Sequence, residues 1–234
     1  LLLAPPASAK QERQATAPRD TGRVLIERLE SRDQQLAADA AQDLLDLGPS
    51  VVPLLVEQLT RSRGCQFQFL AAGIVSQLDD AHAIVTPTLI KIVRGQCVMQ
   101  ASGDTVLRRQ AGFVLASRAD GILTLATMLK DLDLFVSRTA AFAFDELAEN
   151  VDGLSGGSAL IAAVMAALPA LVEALRHSDE MVRCVSFEAL DEFRVVDSKE
   201  LRTEAVRRTD AVVAPRSCAL PGDVPGWRRS EISR

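Results

Sequence analysis

Aromatic side chains are scarce in this sequence. They make up 4% of its 234 residues, with no tyrosine and one tryptophan. The hydrophobic share of 48% therefore consists mostly of leucine, alanine, valine and isoleucine, which can still fill a sizeable core. Because strands favour aromatic and β-branched residues, this composition suits helices packed on helices better than a β-sheet. It is typical of a globular protein and argues against a disordered or fibrous one.

Histidine and cysteine are also few, and this excludes most metal chemistry. The two histidines, His82 and His177, are paired neither with a cysteine nor with each other, and neither is followed by glutamate. The ligand pattern of an iron oxygenase is therefore missing. The cysteines lie far apart without a C-x-x-C pair, so we expect neither a metal site nor a disulfide framework. They are Cys65, Cys97, Cys184 and Cys218.

Catalytic motifs are missing as well. The sequence contains no P-loop, no G-x-G-x-x-G and no G-x-S-x-G. The glycine-rich stretch 153–157 lacks the lysine of a phosphate loop and predicts a turn between helices. Asp145, Glu146 and Glu149 could serve as acid and base, but such a cluster is more often a solvated helix face. We therefore predict no enzyme, with no catalytic residue, metal, cofactor or small-molecule substrate.

Negative charge is concentrated in the middle of the chain. The net charge is −5, yet residues 1–23 and 201–234 each carry an excess of basic groups, so residues 24–200 are strongly acidic. An acidic body repels phosphate backbones, and we expect no nucleic-acid binding by the folded part. The apolar run Ala159–Val172 is shorter than the roughly 18 residues that a membrane span needs, and it contains Pro169. It predicts a buried helix and no membrane span.

The two ends of the chain are predicted to be flexible. Residues 1–22 form an N-terminal segment, and residues 209–234 form a basic tail punctuated by proline and glycine. Two interpretations of Leu1–Ala9 stay open. It is a cut linker, or it is the remnant of a signal peptide with Ala7-Ser8-Ala9 as the cleavage site. The first favours the cytoplasm, and the second a secreted or periplasmic protein.

A proline-led pattern recurs along the chain and marks one type of helix. Pro53, Pro87 and Pro169 are each followed by apolar residues two, three and six positions later, and Leu123 fits the same frame. These spacings place the apolar residues on one helix face. Proline is tolerated in a first turn, as predicted for Pro53 and Pro87, because its missing N–H would have no partner there, whereas Pro169 is predicted to kink a helix that is already running. We call these elements the second helices, and the place of Pro53, Pro87, Leu123 or Pro169 the proline position.

A different pattern begins upstream of each proline position and marks the first helices. Apolar or small residues follow a starting residue at intervals of three, seven, ten and eleven. An aspartate at this start can cap the helix N-terminus. The offset from start to proline position is 20, 20 and 19 residues in three copies and 36 in a fourth, where the extra residues predict longer helices joined by a glycine-rich loop. The starting residues are Asp33, Phe67, Asp104, Asp133 and Asp179.

The motif Asp179-x-x-Val182-Arg183, its weaker copy Asp104–Arg108 and the Pro-x-Leu second helices resemble the HEAT-repeat family, including the HEAT-like repeats of phycobilin lyases. The resemblance implies a right-handed α-solenoid of about 4.5–5 helix pairs over residues 23–208, with second helices lining a concave face. It implies a protein–protein interaction scaffold or adaptor. The alternatives are a phycobilin-lyase-like enzyme or enzyme subunit, and a fragment of a longer HEAT-repeat protein. Two copies lack the arginine, and Arg138 comes one place late, so we expect no continuous Asp–Arg ladder.

One position of the second helices is polar in every copy. Four places after the proline position stand Glu57, Lys91, Thr127 and Glu173. On a helix this position lies opposite or beside the apolar stripe. We predict that these side chains contact the partner protein; the alternative is that they only face solvent.

Overall fold

The computed structural model describes residues 21–31, 33–61, 64–79, 83–97, 104–150 and 157–209. Throughout these ranges the regular structure is helical and contains no strand, which confirms the all-α prediction. Residues 21–28 form α1. The remaining helices are α2 (Gln34–Asp46), a 3₁₀ turn (Gly48–Val51), α3 (Val52–Leu59), α4 (Cys65–Leu78), α5 (Val85–Val93), α6 (Asp104–Ala116), α7 (Ala119–Met128), α8 (Leu134–Asn150), α9 (Gly157–Ala174), α10 (Glu180–Glu192) and α11 (Lys199–Thr209).

The helices group into two compact units. Unit 1 comprises the described residues up to Thr88 together with Cys97, and unit 2 comprises Leu89–Gln96 and the described residues from Asp104 onward. In unit 1, α4 packs against α2 and α3. In unit 2, α8 packs against both α6 and α10, while α9 packs against both α7 and α11. The first and second helices of unit 2 therefore form separate layers, joined by contacts of α7 with α6 and α8 and of α9 with α10.

The predicted core positions are buried in the second helices. The leucine two places after each proline position is fully buried, with 0% exposure in every copy. These leucines are Leu55, Leu89, Leu125 and Leu171. The residue at the proline position itself is exposed in all four copies. One helix face thus supplies the core and the opposite face meets solvent, as the spacing predicted.

The first helices follow their pattern with two exceptions. The positions seven and eleven places after Asp104, Asp133 and Asp179 are buried. In α2, however, Leu36 is 41% exposed and Ala37 is buried instead. The predicted start at Phe67 is wrong, because α4 begins at Cys65 after an N-cap at Gly64, and Phe67 is a core residue. Without an aspartate to fix the start, apolar spacing alone also fits a frame displaced by nearly one turn.

The prediction that the cysteines form no disulfides is wrong. Cys65 and Cys97 are bonded, with their Cα atoms 5.2 Å apart and a separation of 32 positions in the sequence. Cys184 is also disulfide-bonded, and no cysteine in the described ranges is free. Cys218 lies outside the described residues. The wide spacing of the cysteines along the chain gave no indication of this bond. Whether two distant cysteines meet depends on the directions of the helices between them.

The fourth pair has the predicted long helices, with 17 residues in α8 and 18 in α9; most of the predicted glycine-rich loop lies outside the described residues. Of the described helices, α9 alone is long and apolar enough to span a membrane by length and composition. Its residues Leu160, Val164, Leu168 and Leu171 are buried, and it packs against α7, α10 and α11. This burial is that of a core helix in a globular unit.

Candidate functional site

The four predicted contact residues are all exposed. Glu57 lies on α3, Lys91 on α5, Thr127 on α7 and Glu173 on α9. Each stands two places after a fully buried leucine, so the same face of every second helix carries the exposed polar group. The exposure follows from the helical repeat and suits both partner contact and a solvated surface. Partner contact therefore stays a prediction.

Local bonds hold several of these side chains in place. Glu57 accepts a hydrogen bond from Arg61, which lies four residues later, just after the end of α3. The Thr127 hydroxyl donates to the carbonyl oxygen of Thr124 at 2.7 Å. Because Arg61 and Glu57 are both more than half exposed, their pairing contributes little to stability. Such residues can be replaced without unfolding the helix that carries them.

Ion pairs tie together the ends of the second helices of unit 2. Arg94, just after α5, lies 2.7 Å from Asp131, just after α7. Lys130, also after α7, lies 2.5 Å from Glu173 on α9. The last turns of α5, α7 and α9 are therefore neighbours. We call their exposed side, which carries Lys91, Thr127 and Glu173, the second-helix face of unit 2.

A ladder of Arg–Asp pairs joins the first helices of unit 2. Arg138 on α8 donates two hydrogen bonds to Asp179, at 3.1 and 2.6 Å, and Arg108 on α6 lies 3.6 Å from Asp133. These two pairs link three successive first helices within unit 2, whereas the copies of unit 1 lack the arginine. A shift of one residue along the helix does not prevent pairing, because a long arginine side chain reaches the next aspartate from either place.

Arginine at the fourth place after the start has a second task, which sequence reasoning missed. Arg108 Nε donates to the carbonyl oxygen of Val93 at 2.7 Å, and its guanidinium lies 3.9 Å from the ring centre of Phe135. Arg183 donates to the carbonyl oxygen of His177 at 2.8 Å, and Arg202 to that of Val196 at 3.1 Å. These carbonyls lie after the end of a helix or at its last residue, where they lack helical partners. The signal was available, because Ser198 and Arg202 repeat the Asp179–Arg183 spacing.

Asp179 performs two tasks at once. Its side chain, 10% exposed, accepts from the Val182 N–H and so caps α10, while it also pairs with Arg138. The Arg138 guanidinium, and then the Val182 N–H, hold the pKa of the Asp179 carboxyl below its ordinary value of 3.8, against the opposing effect of burial. The charged form is thus preferred in the folded state.

We expect Asp179→Asn to lower the free energy of unfolding at pH 7 by about 1–2 kcal/mol, since asparagine keeps the cap but loses the ion pair. The folded-state pKa is lowered, so the stabilisation is complete above pH 3.8 and is lost as the pH falls through the folded-state pKa. Urea unfolding of both proteins from pH 7 downward should show the difference shrinking in the acid range. Asp191→Asn removes an exposed partner of Arg194 and should change little; an equal loss in both variants contradicts the assignment.

Enzyme-like features are few among the described residues. No group of three or more His, Cys, Asp or Glu side chains in these ranges could hold a metal ion. Asp145 does not belong to a solvated cluster as expected, because it is 5% exposed while Glu149 is exposed. A groove in unit 1 is lined by Thr21, Val24, Leu25, Arg28, Asp43, Asp46 and Leu47. Its two carboxylates against one guanidinium suit an anionic ligand such as a tetrapyrrole propionate poorly.

No protein-family model and no curated protein matches this chain significantly. Three predicted features lie outside the described residues: His82, residues 1–20 with the possible cleavage site, and the basic tail from residue 210.

Proposed function

We propose that this chain is a HEAT-like α-solenoid whose second-helix face binds a partner protein. The observation that carries the proposal is the constant register of α3, α5, α7 and α9, each with a fully buried leucine and, two places later, an exposed polar residue. In a protein built of helical repeats, each copy packs only against the neighbouring copies. The side of the second helices that carries the polar residues therefore remains exposed. Binding would rest on shape and on charges spread over a broad surface, with no cofactor.

The bonding of the face supports this proposal. In unit 2 the packing of α9 against α7 fixes the spacing of these two helices, and the partly buried pair Arg94–Asp131 links the end of α7 to the end of α5. The pair Lys130–Glu173 is more than half exposed and adds little to this. A surface held in one arrangement before binding loses less conformational entropy when a partner docks. Opposite charges along one face also favour a partner that carries the complementary pattern.

Charge reversal at three of the predicted contact residues tests the proposal. We expect the combination Glu57→Lys, Lys91→Glu and Glu173→Lys to weaken capture of the partner by about tenfold or more while the helical circular dichroism stays unchanged. Affinity capture with the whole chain measures this, followed by titration of the purified partner. Asp39→Lys changes the net charge by the same amount on an exposed position of α2 and should leave capture intact.

Two outcomes contradict the proposal. If every captured protein binds the reversed chain and the wild type equally, the second-helix face is not the binding surface. If no protein is captured above a bait-free control, the chain is not a binding scaffold under the conditions used.

A further inference from the structure

The Cys65–Cys97 disulfide closes a loop that contains α4 and α5. Both cysteines belong to unit 1, although Leu89–Gln96, directly before Cys97, belongs to unit 2. Cys97 is therefore the described residue at which the chain returns to unit 1. The disulfide links this point of the chain covalently to the start of α4.

Cys65 occupies the first position of α4, so the disulfide holds the start of this helix. The N-cap residue is Gly64, which has no side chain to cap the helix, and the first turn holds no acidic residue. By contrast, α2 and α10 begin with the capping carboxylates of Asp33 and Asp179. Cys65 is 3% exposed, so the bond fixes the helix start inside the core rather than at the surface.

Unit 1 is the smaller of the two units. Its α3 has 8 residues, and its contacts are made mainly by α2, α3 and α4. A core of this size gives only a small net stability, so a cross-link contributes a large share of it. In the chain-entropy description, a bond between residues 32 positions apart disfavours the open chain by roughly several hundred-fold.

We propose that oxidation of Cys65 and Cys97 switches unit 1 between an open and a folded state, while unit 2 stays folded. In the oxidation, one cysteine thiolate attacks a small-molecule or protein disulfide and releases a thiol. The other thiolate then attacks the mixed disulfide, forms the Cys65–Cys97 bond and releases the second thiol. The two cysteines lose two electrons and two protons, and the oxidant gains them. The protein therefore reaches its complete fold in an oxidising compartment.

Amide hydrogen exchange resolved by helix tests the proposal on the whole chain. The forms compared are the oxidised wild type, the wild type reduced with a phosphine, and the variant Cys65→Ala/Cys97→Ala under oxidising conditions. Reduction changes no side-chain volume but breaks every disulfide, whereas the variant keeps the bond of Cys184. An effect common to both forms therefore belongs to Cys65–Cys97.

We expect exchange in α2, α3 and α4 to be several hundred-fold faster in both forms than in the oxidised wild type, with α7, α8 and α9 unchanged. Unchanged exchange in α4 would overturn the proposal. Equal loss of protection in α7, α8 and α9, or a variant without helical structure, would overturn it as well, since unit 2 must stay folded alone.

Discussion

Replacing Gly121 by alanine is expected to lower the free energy of unfolding by about 3 kcal/mol. Gly121 lies in the first turn of α7, and a Cβ atom there would fall far inside van der Waals distance of the Leu115 carbonyl oxygen in α6. Backbone cannot move aside as a side chain can, so α7 would have to shift from α6. Urea unfolding followed by helical circular dichroism measures the change.

Two other glycines provide graded controls for this prediction. A Cβ at Gly112 in α6 would lie 2.6 Å from the Thr139 methyl group, which belongs to a side chain, so we expect a smaller loss. A Cβ at Gly73 in α4 would meet nothing within 4 Å, and Gly73→Ala should stabilise the protein by about 1 kcal/mol through helix propensity. If all three substitutions change stability alike, close helix approach at Gly121 is not what requires glycine.

A leucine pair within α7 should show an equally large contrast. Leu125→Ala is expected to cost about 3–4 kcal/mol, because Leu125 is 0% exposed and its removal leaves a cavity between packed helices. Leu123→Ala should change stability by less than about 0.5 kcal/mol, because Leu123 at the proline position is 47% exposed. The two substitutions delete the same atoms from the same helix, so only burial differs.

Urea midpoints of the two leucine variants, measured side by side, decide the register of the second helices. Comparable losses at both sites would mean that the proline position is buried, and the second-helix face would have to be placed elsewhere on α7.

Spacing along the chain was sufficient to predict the all-helical fold and the buried side of each second helix. Leu55, Leu89, Leu125 and Leu171 could be placed because burial on a helix repeats with the helical turn. The exposed positions of Glu57, Lys91, Thr127 and Glu173 follow from the same geometry. The binding partner of such a residue does not follow from this geometry, because helical periodicity reports which side is buried and not what the exposed side binds.

Contacts between residues that lie far apart in the chain could not be predicted from the sequence. The Arg138–Asp179 pair joins residues 41 positions apart, and Cys65 meets Cys97 across two helices. Both depend on how successive helices are offset, which an apolar period does not encode. The start of α4 was missed for a different reason. Gly64 carries no capping side chain, so the polar signal that marks α2 and α10 is absent there.

The layered packing of unit 2 bears on how such a chain can change in evolution. Each helix from α6 to α11 makes its substantial contacts with helices no more than two places away along the chain. A duplication or deletion of one whole pair would therefore disturb only the pairs beside it. We expect the chain to tolerate lengthening or shortening by gene rearrangement in steps of a helix pair. Each new copy would carry an exposed polar position at which substitutions do not disturb the core.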